Sequence, residues 1–127
     1  MDENLDLTGT PESEFLEGGN AADTIKGLGG EDTIRGGSSG DSLEGNAGDD
    51  VIQGENGDDT ILGNAGFDTI QGGQGSDNIA GGNGEDQIFG GNGDDIIDGG
   101  DEDDLLAGND GADLLLGMDG ADTIYGG

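Results

Sequence analysis

An aliphatic residue returns at every ninth position of this chain, from Leu7 and Leu16 through Ile25, Ile34, Leu43, Ile52, Ile61, Ile70, Ile79, Ile88, Ile97, Leu106 and Leu115 to Ile124. The stretch between Gly72 and Asp98 shows the rest of the pattern: GGQGSDNIA, GGNGEDQIF, GGNGDDIID. In that register twelve units run without insertion from Gly18 to Tyr125, and Gly126 and Gly127 begin a thirteenth. With the places of a unit numbered one to nine, place one is always glycine, place six always aspartate and place eight always Ile or Leu. Glycine supplies the positive φ angles of tight turns, while an x-Ile-x triplet alternates outward, inward, outward. The unit therefore predicts a turn of six residues followed by a strand of three.

A strand that short survives only when others stack on it in parallel, so that the inward Ile and Leu form a continuous ladder. A turn, strand, turn, strand coil consumes two units, which alternate between two faces. The expected fold class is all-β: a parallel β-solenoid of about six coils, with two nine-residue units per coil. Residues 18–127 form this repeat array, and residues 1–17 are expected to be a degenerate N-terminal repeat or cap. Leu7 and Leu16 keep the period there, Glu14 stands one period before Asp23, and Pro11 makes the unit atypical.

Composition shows what such a fold lacks. Only 28% of the 127 residues are apolar, 3% are aromatic and 32 are glycine. Burying the Ile and Leu contributes about 1.5–3 kcal/mol each, against roughly 1.5 kcal/mol of ordering entropy per residue. Burial alone does not fold this chain. Thirty-one acidic residues against Lys26 and Arg35 leave a formal net charge of −29 with no histidine, a balance that usually means disorder. It also argues against nucleic acid and anionic membranes as partners and favours cations. Without cysteine there is no disulfide to hold a small fold together, so a metal is the natural substitute.

The charge becomes specific once the coils stack. Neighbours eighteen residues apart lie about 4.8 Å from each other across a parallel pair. Asp23, Asp41, Asp59, Asp77, Asp95 and Asp113 then form one row, and Asp32, Asp50, Asp68, Asp86, Asp104 and Asp122 the other. Adjacent carboxylates repel by about 0.9 kcal/mol in bulk water and several times that at an effective dielectric of 20. A divalent cation between stacked turns turns this repulsion into attachment. Carboxylates with glycine-turn carbonyls offer hard oxygen ligands, which suit Ca²⁺ better than Zn²⁺, Cu²⁺ or the rigidly hydrated Mg²⁺.

GGxGxD followed by x-Ile-x resembles the nonapeptide of the RTX (repeats-in-toxin) family of hemolysin-type calcium-binding repeats, over at least 108 of the 127 residues. The resemblance implies a right-handed parallel β-roll with Ca²⁺ between stacked turns. Its metal ligands would be the twelve place-six aspartates named above with backbone carbonyls of the glycine-rich places. Those carbonyls are Gly36, Gly54, Gly72, Gly73, Gly75, Gly81, Gly82, Gly84, Gly90, Gly91, Gly93, Gly99, Gly108 and Gly111. One ion between each unit and the unit two places on would give about ten ions. Departures fall at place four, with Ala21, Ser39 and Glu102, and at place two, with Leu28, Asn46, Glu55, Asn64, Asn109 and Met118. Gly40 is expected to take over the unusual angles beside Ser39, and the best sites are expected in the middle units.

The acids are equivalent by repetition, whereas a catalytic pair needs unlike environments, so no catalytic residue is assigned and the chain is expected not to be an enzyme. The paired glycines precede neither Lys-Ser/Thr nor a helix, which removes the phosphate-loop reading, and the acidic period of nine excludes an EF-hand. The opening MDENLDLTGTPESEF does not read as a Sec-type signal, and no 18 apolar residues occur together, so neither a Sec leader nor a membrane span is expected. The resemblance implies a secreted, extracellular protein exported by a type I route and folding when it meets calcium outside. The leading expectation is thus a calcium-binding structural or assembly module. One alternative is a subunit of an extracellular filament or matrix, self-associating through solenoid ends or the apolar outward residues Phe89, Ile96, Leu105, Leu114, Leu116 and Tyr125. Another is the C-terminal roll of a secreted protease, lipase or toxin.

Overall fold

The computed structural model describes residues 3–127; the first two residues of the expected cap, 1–17, lie outside them. Fourteen strands follow in order: β1 Asp6–Thr8, β2 Phe15–Gly19, β3 Thr24–Gly29, β4 Thr33–Ser38, β5 Ser42–Ala47, β6 Val51–Asn56, β7 Thr60–Ala65, β8 Thr69–Gln74, β9 Asn78–Asn83, β10 Gln87–Asn92, β11 Ile96–Asp101, β12 Leu105–Asp110, β13 Leu114–Asp119 and β14 Thr123–Tyr125. Odd strands pair in parallel in one seven-stranded sheet, and even strands in another. Every pairing joins residues eighteen apart, as in Ile61↔Ile79 and Ile70↔Ile88. The fold is a parallel β-solenoid of about seven turns. It has one coil more than the regular units supply, because β1 and β2 pair with β3 and β4.

Ile25 through Leu106 at place eight are fully buried, and Leu7, Leu16 and Leu115 pack against the ends of that ladder. Among the described residues these side chains form the apolar ladder, two columns wide, and Ala107 is the one further buried apolar side chain. Lys26 reaches Glu44 at 3.4 Å. Arg35 lies 5.6 Å from the Phe15 ring centroid and donates to Gln53 Oε1 at 3.0 Å. Both cations are thus held on the outer faces, by residues one coil away.

From β3 to β13 the strands, at six residues each, are twice as long as the triplet suggests. Strand β3 runs on through Gly27 and Leu28 to Gly29, and pairing resumes there as Leu28↔Asn46 and Gly29↔Ala47. The turn shrinks to places four to six, because main-chain hydrogen bonds between coils continue past the left-handed residue at place two. From the second unit on, that residue has a positive φ whether it is glycine or not, as at Leu28 (81°), Asn64 (80°) and Met118 (72°). Ser39 likewise takes the left-handed angle itself, at 80°, rather than passing it to Gly40.

The late apolar residues do not make one surface. Ile96, Leu114 and Leu116 lie on β11 and β13 of one sheet, and Phe89, Leu105 and Tyr125 on β10, β12 and β14 of the other.

Candidate metal centre

Places six, eight and one point inward along each unit, two residues apart, so each coil brings an Asp, an aliphatic side chain and a glycine Cα to the interior. The ten aspartates from Asp23 to Asp104 are buried, each at most 3% exposed, while Asp113 and Asp122 are half-buried. Burial of carboxylates on this scale needs partners, and half of the need is met by the main chain. The N–H of each place-six aspartate donates to Oδ1 of the aspartate one coil on. Asp23 donates to Asp41, Asp41 to Asp59, Asp59 to Asp77 and Asp77 to Asp95, all at 2.8 Å. The other row repeats this from Asp32 through Asp50, Asp68 and Asp86 to Asp104, also at 2.8 Å. Asp113 and Asp122 complete the two rows at 3.0 Å. The two rows expected from the period are therefore assembled.

The second oxygen is different. Oδ2 of Asp32, Asp41, Asp50, Asp59, Asp68, Asp77, Asp86, Asp95, Asp104 and Asp113 is buried without any hydrogen-bond partner; Oδ2 of Asp23 accepts the Gly19 N–H at 2.7 Å. Each orphaned oxygen sits against the place-one glycine of its own unit. A Cβ on Gly72 would collide with Asp77 Oδ2 and lie 2.6 Å from the Gly90 carbonyl oxygen; one on Gly54 would collide with Asp59 Oδ2 and lie 2.5 Å from the Gly72 oxygen. Glycine is obligatory at place one because carboxylate and carbonyl oxygens fill the space a side chain would take.

Of the expected carbonyl ligands, those of Gly36, Gly54, Gly72, Gly81, Gly90, Gly99 and Gly108 lie in these cradles with an aspartate Oδ2. Those of Gly45, Gly63, Gly117 and Gly126 do the same beside Asp32, Asp50, Asp104 and Asp113; they are not among the expected ligands, although the invariant place-one glycine marks them. The carbonyls of Gly73, Gly82, Gly75 and Gly93 instead stack against the α-carbons of Gly91, Gly100, Gly93 and Gly111, the same place one coil on. The same holds of Gly84 and Gly91 only in that their own α-carbons face the Gly66 and Gly73 carbonyls, as the Gly111 α-carbon faces Gly93.

Four further acids, two on each edge of the solenoid, also join the coils. At place five, Oδ1 of Asp49, Asp58, Asp94 and Asp103 accepts the N–H of Phe67, Ser76, Ala112 and Ala121 one coil on, at 2.8–2.9 Å. The signal was the Asp-Asp dipeptide at places five and six.

Electrostatics follow from this packing. Burial pushes the carboxyls of Asp50, Asp59, Asp68 and Asp77 up to about 6 and that of Asp86 up to about 7. The hydrogen bond from the preceding coil's backbone opposes the rise, and the charge of stacked carboxylates adds to it. Asp32, Asp41, Asp95 and Asp104 are raised for the same reasons. Among the described residues no three acidic side chains converge on one point, so a cation here takes main-chain oxygens as well. Orphaned carboxylate oxygens beside carbonyls, with no nitrogen or sulfur ligand, are a donor set that fits a hard divalent cation.

Fold and site together define a repeat solenoid whose coils are joined through carboxylates as well as through apolar contact. The family model for the RTX calcium-binding nonapeptide repeat, in four copies, matches residues 8–43, 35–70, 71–106 and 98–127. The chain belongs to that family, and is a calcium-binding repeat module. A search of curated proteins returns no match to it. Among the described residues no helix is long and apolar enough to cross a membrane.

Proposed function

We propose that the chain is a structural module that folds on binding calcium outside the cell, after export by a type I route. The ions lie between stacked turns, held by the place-six carboxylates from Asp23 to Asp122 with main-chain oxygens of the glycine-rich places. About ten ions fill the array, one for each pair of units a coil apart. The observation that carries this reading is the set of buried Oδ2 atoms that have no partner. Uncompensated, those oxygens oppose folding; with Ca²⁺ they hold coil to coil, and each ion bound only by the folded state adds stability. The role is structural rather than enzymatic, since the carboxylates share one environment along each row. Circular dichroism during titration with CaCl₂, followed by EGTA, tests it. The β signal is expected to appear with calcium and vanish with the chelator; a signal indifferent to chelation overturns the reading.

Exposure of Ile96, Leu114 and Leu116 on one sheet favours a second reading, in which the module is a subunit of a calcium-dependent filament or matrix. Sedimentation of the calcium-loaded chain tests this, and a strictly monomeric species at high concentration rejects it.

A further inference from the structure

Three units carry Asn-Gly at places three and four: Asn56–Gly57, Asn83–Gly84 and Asn92–Gly93. Each asparagine is exposed and ends its strand, and the three glycines have nearly the same left-handed angle, with φ of 131°, 121° and 126°. They differ in what holds the glycine N–H. Gly57 donates to the Gln74 carbonyl and Gly93 to the Asp110 carbonyl, each at 2.8 Å. Gly84 donates to Oε2 of Glu102 at 2.7 Å. The difference originates in the sequence, because Glu102 stands at place four one coil on, where most units have glycine.

This matters for the chemistry an Asn-Gly pair undergoes. The backbone nitrogen after an asparagine can attack the side-chain Cγ, and glycine leaves that approach free of side-chain obstruction. An amide carbonyl can hold the N–H but cannot take its proton; a carboxylate can do both, the requirement for a general base. Glu102 is exposed, so water reaches the site.

We infer that Asn83 is a self-modification site of the folded chain, where Glu102 acts as general base for deamidation through a succinimide. Glu102 takes the Gly84 amide proton, and the nitrogen forms a bond to Asn83 Cγ. The Cγ–Nδ2 bond then breaks and ammonia leaves, carrying the proton that Glu102 returns. Water opens the five-membered ring at either carbonyl, leaving aspartate or isoaspartate at position 83. No oxidant or further reactant is consumed. The product adds a negative charge to a turn edge and, as isoaspartate, an extra backbone atom to the end of β9.

The test is peptide mass spectrometry of the full calcium-loaded chain, aged in mildly alkaline buffer, with the three Asn-Gly sites followed in one sample. Conversion at Asn83 is expected to be on the order of tenfold faster than at Asn56 or Asn92. Glu102→Gln keeps an acceptor and removes the base, and Glu102→Gly restores the residue usual at place four. Both are expected to bring Asn83 down to the rate of the other two, while circular dichroism confirms that each variant folds. In urea the three sites of the wild-type chain are expected to react alike. Equal rates in the folded chain, an unchanged Asn83 rate in both variants, or the same excess at Asn83 in urea each overturn the inference.

Discussion

Asp77 and Asp95, one coil apart, meet through a single oxygen: the Asp77 N–H donates to Asp95 Oδ1 at 2.8 Å, while Asp95 Oδ2 and Asp77 Oδ2 are buried without partners. One half of each carboxylate joins the coils, and the other half is the oxygen proposed to hold a cation. Asp77→Asn separates these tasks, because its amide oxygen can still accept the Asp59 N–H now taken by Oδ1 while its nitrogen is no metal ligand. Bound calcium, counted by equilibrium dialysis, is expected to fall by about one or two ions. Asp101→Asn, exposed at place three, is expected to leave the count unchanged.

Acid should partly replace calcium. The carboxyls of Asp50, Asp59, Asp68, Asp77 and Asp86 titrate at about 6 to 7 in the fold, against about 3.9 in an unfolded chain. The folded state therefore binds protons more tightly, and their contribution is fully present below about pH 4 and lost as pH rises through 6 to 7. In EGTA, β structure is expected to increase between pH 7.5 and pH 4.5. In calcium the ions and the protons serve the same folded state, so the calcium concentration at half-folding is expected to fall as pH drops from about 7 towards about 4.5, while fewer ions are bound. A pH series of dichroism titrations checks both trends, and a midpoint that rises towards acid refutes the account.

The period alone made much of this legible. Asp at place six and Ile or Leu at place eight fix which side chains face inward, and eighteen residues per coil fix their neighbours, so both rows could be written down from the chain. The extent of each strand could not, because main-chain pairing through Leu28 and Gly29 depends on the coil stacked above and not on their side chains. Ser39 shows the same limit: local preference favoured Gly40 for the left-handed angle, yet the stacked carbonyls dictate which residue turns. Which oxygen of Asp77 binds the preceding coil and which stays free was likewise invisible, because residue identity carries no orientation. The place-five aspartates escaped notice for a simpler reason, since only some units have one.

Gly72 is expected to tolerate no side chain. A Cβ there would collide with Asp77 Oδ2 and approach the Gly90 oxygen to 2.6 Å, a main-chain atom fixed by its own sheet. Gly72→Ala is expected to cost about 1–3 kcal/mol through overpacking and to weaken calcium binding, because the methyl enters the oxygen cradle itself. Gly19→Ala is the control, since nothing lies within 4 Å of a Cβ at that position. Urea unfolding in saturating calcium measures the first effect, and dialysis the second. Equal stability of the two variants would show that place-one glycine is not there to make room for oxygens.

Ile79 tests how folding and ion binding share free energy. It is fully buried between Ile61 and Ile97 of the same sheet and has no oxygen in its side chain. Ile79→Ala is expected to destabilise the loaded roll by about 2–5 kcal/mol. If about ten ions bind together with folding, a loss of about 3 kcal/mol spreads to about 0.3 kcal/mol per ion, which raises the calcium midpoint less than about twofold. The number of ions bound at saturation is expected to stay at its wild-type value. Asp77→Asn has the opposite signature, with fewer ions bound by a chain whose apolar ladder is intact. Dialysis and dichroism on both variants distinguish a site that holds metal from a core that holds the site. A drop in ion number for Ile79→Ala would mean that the coils do not fold as one unit.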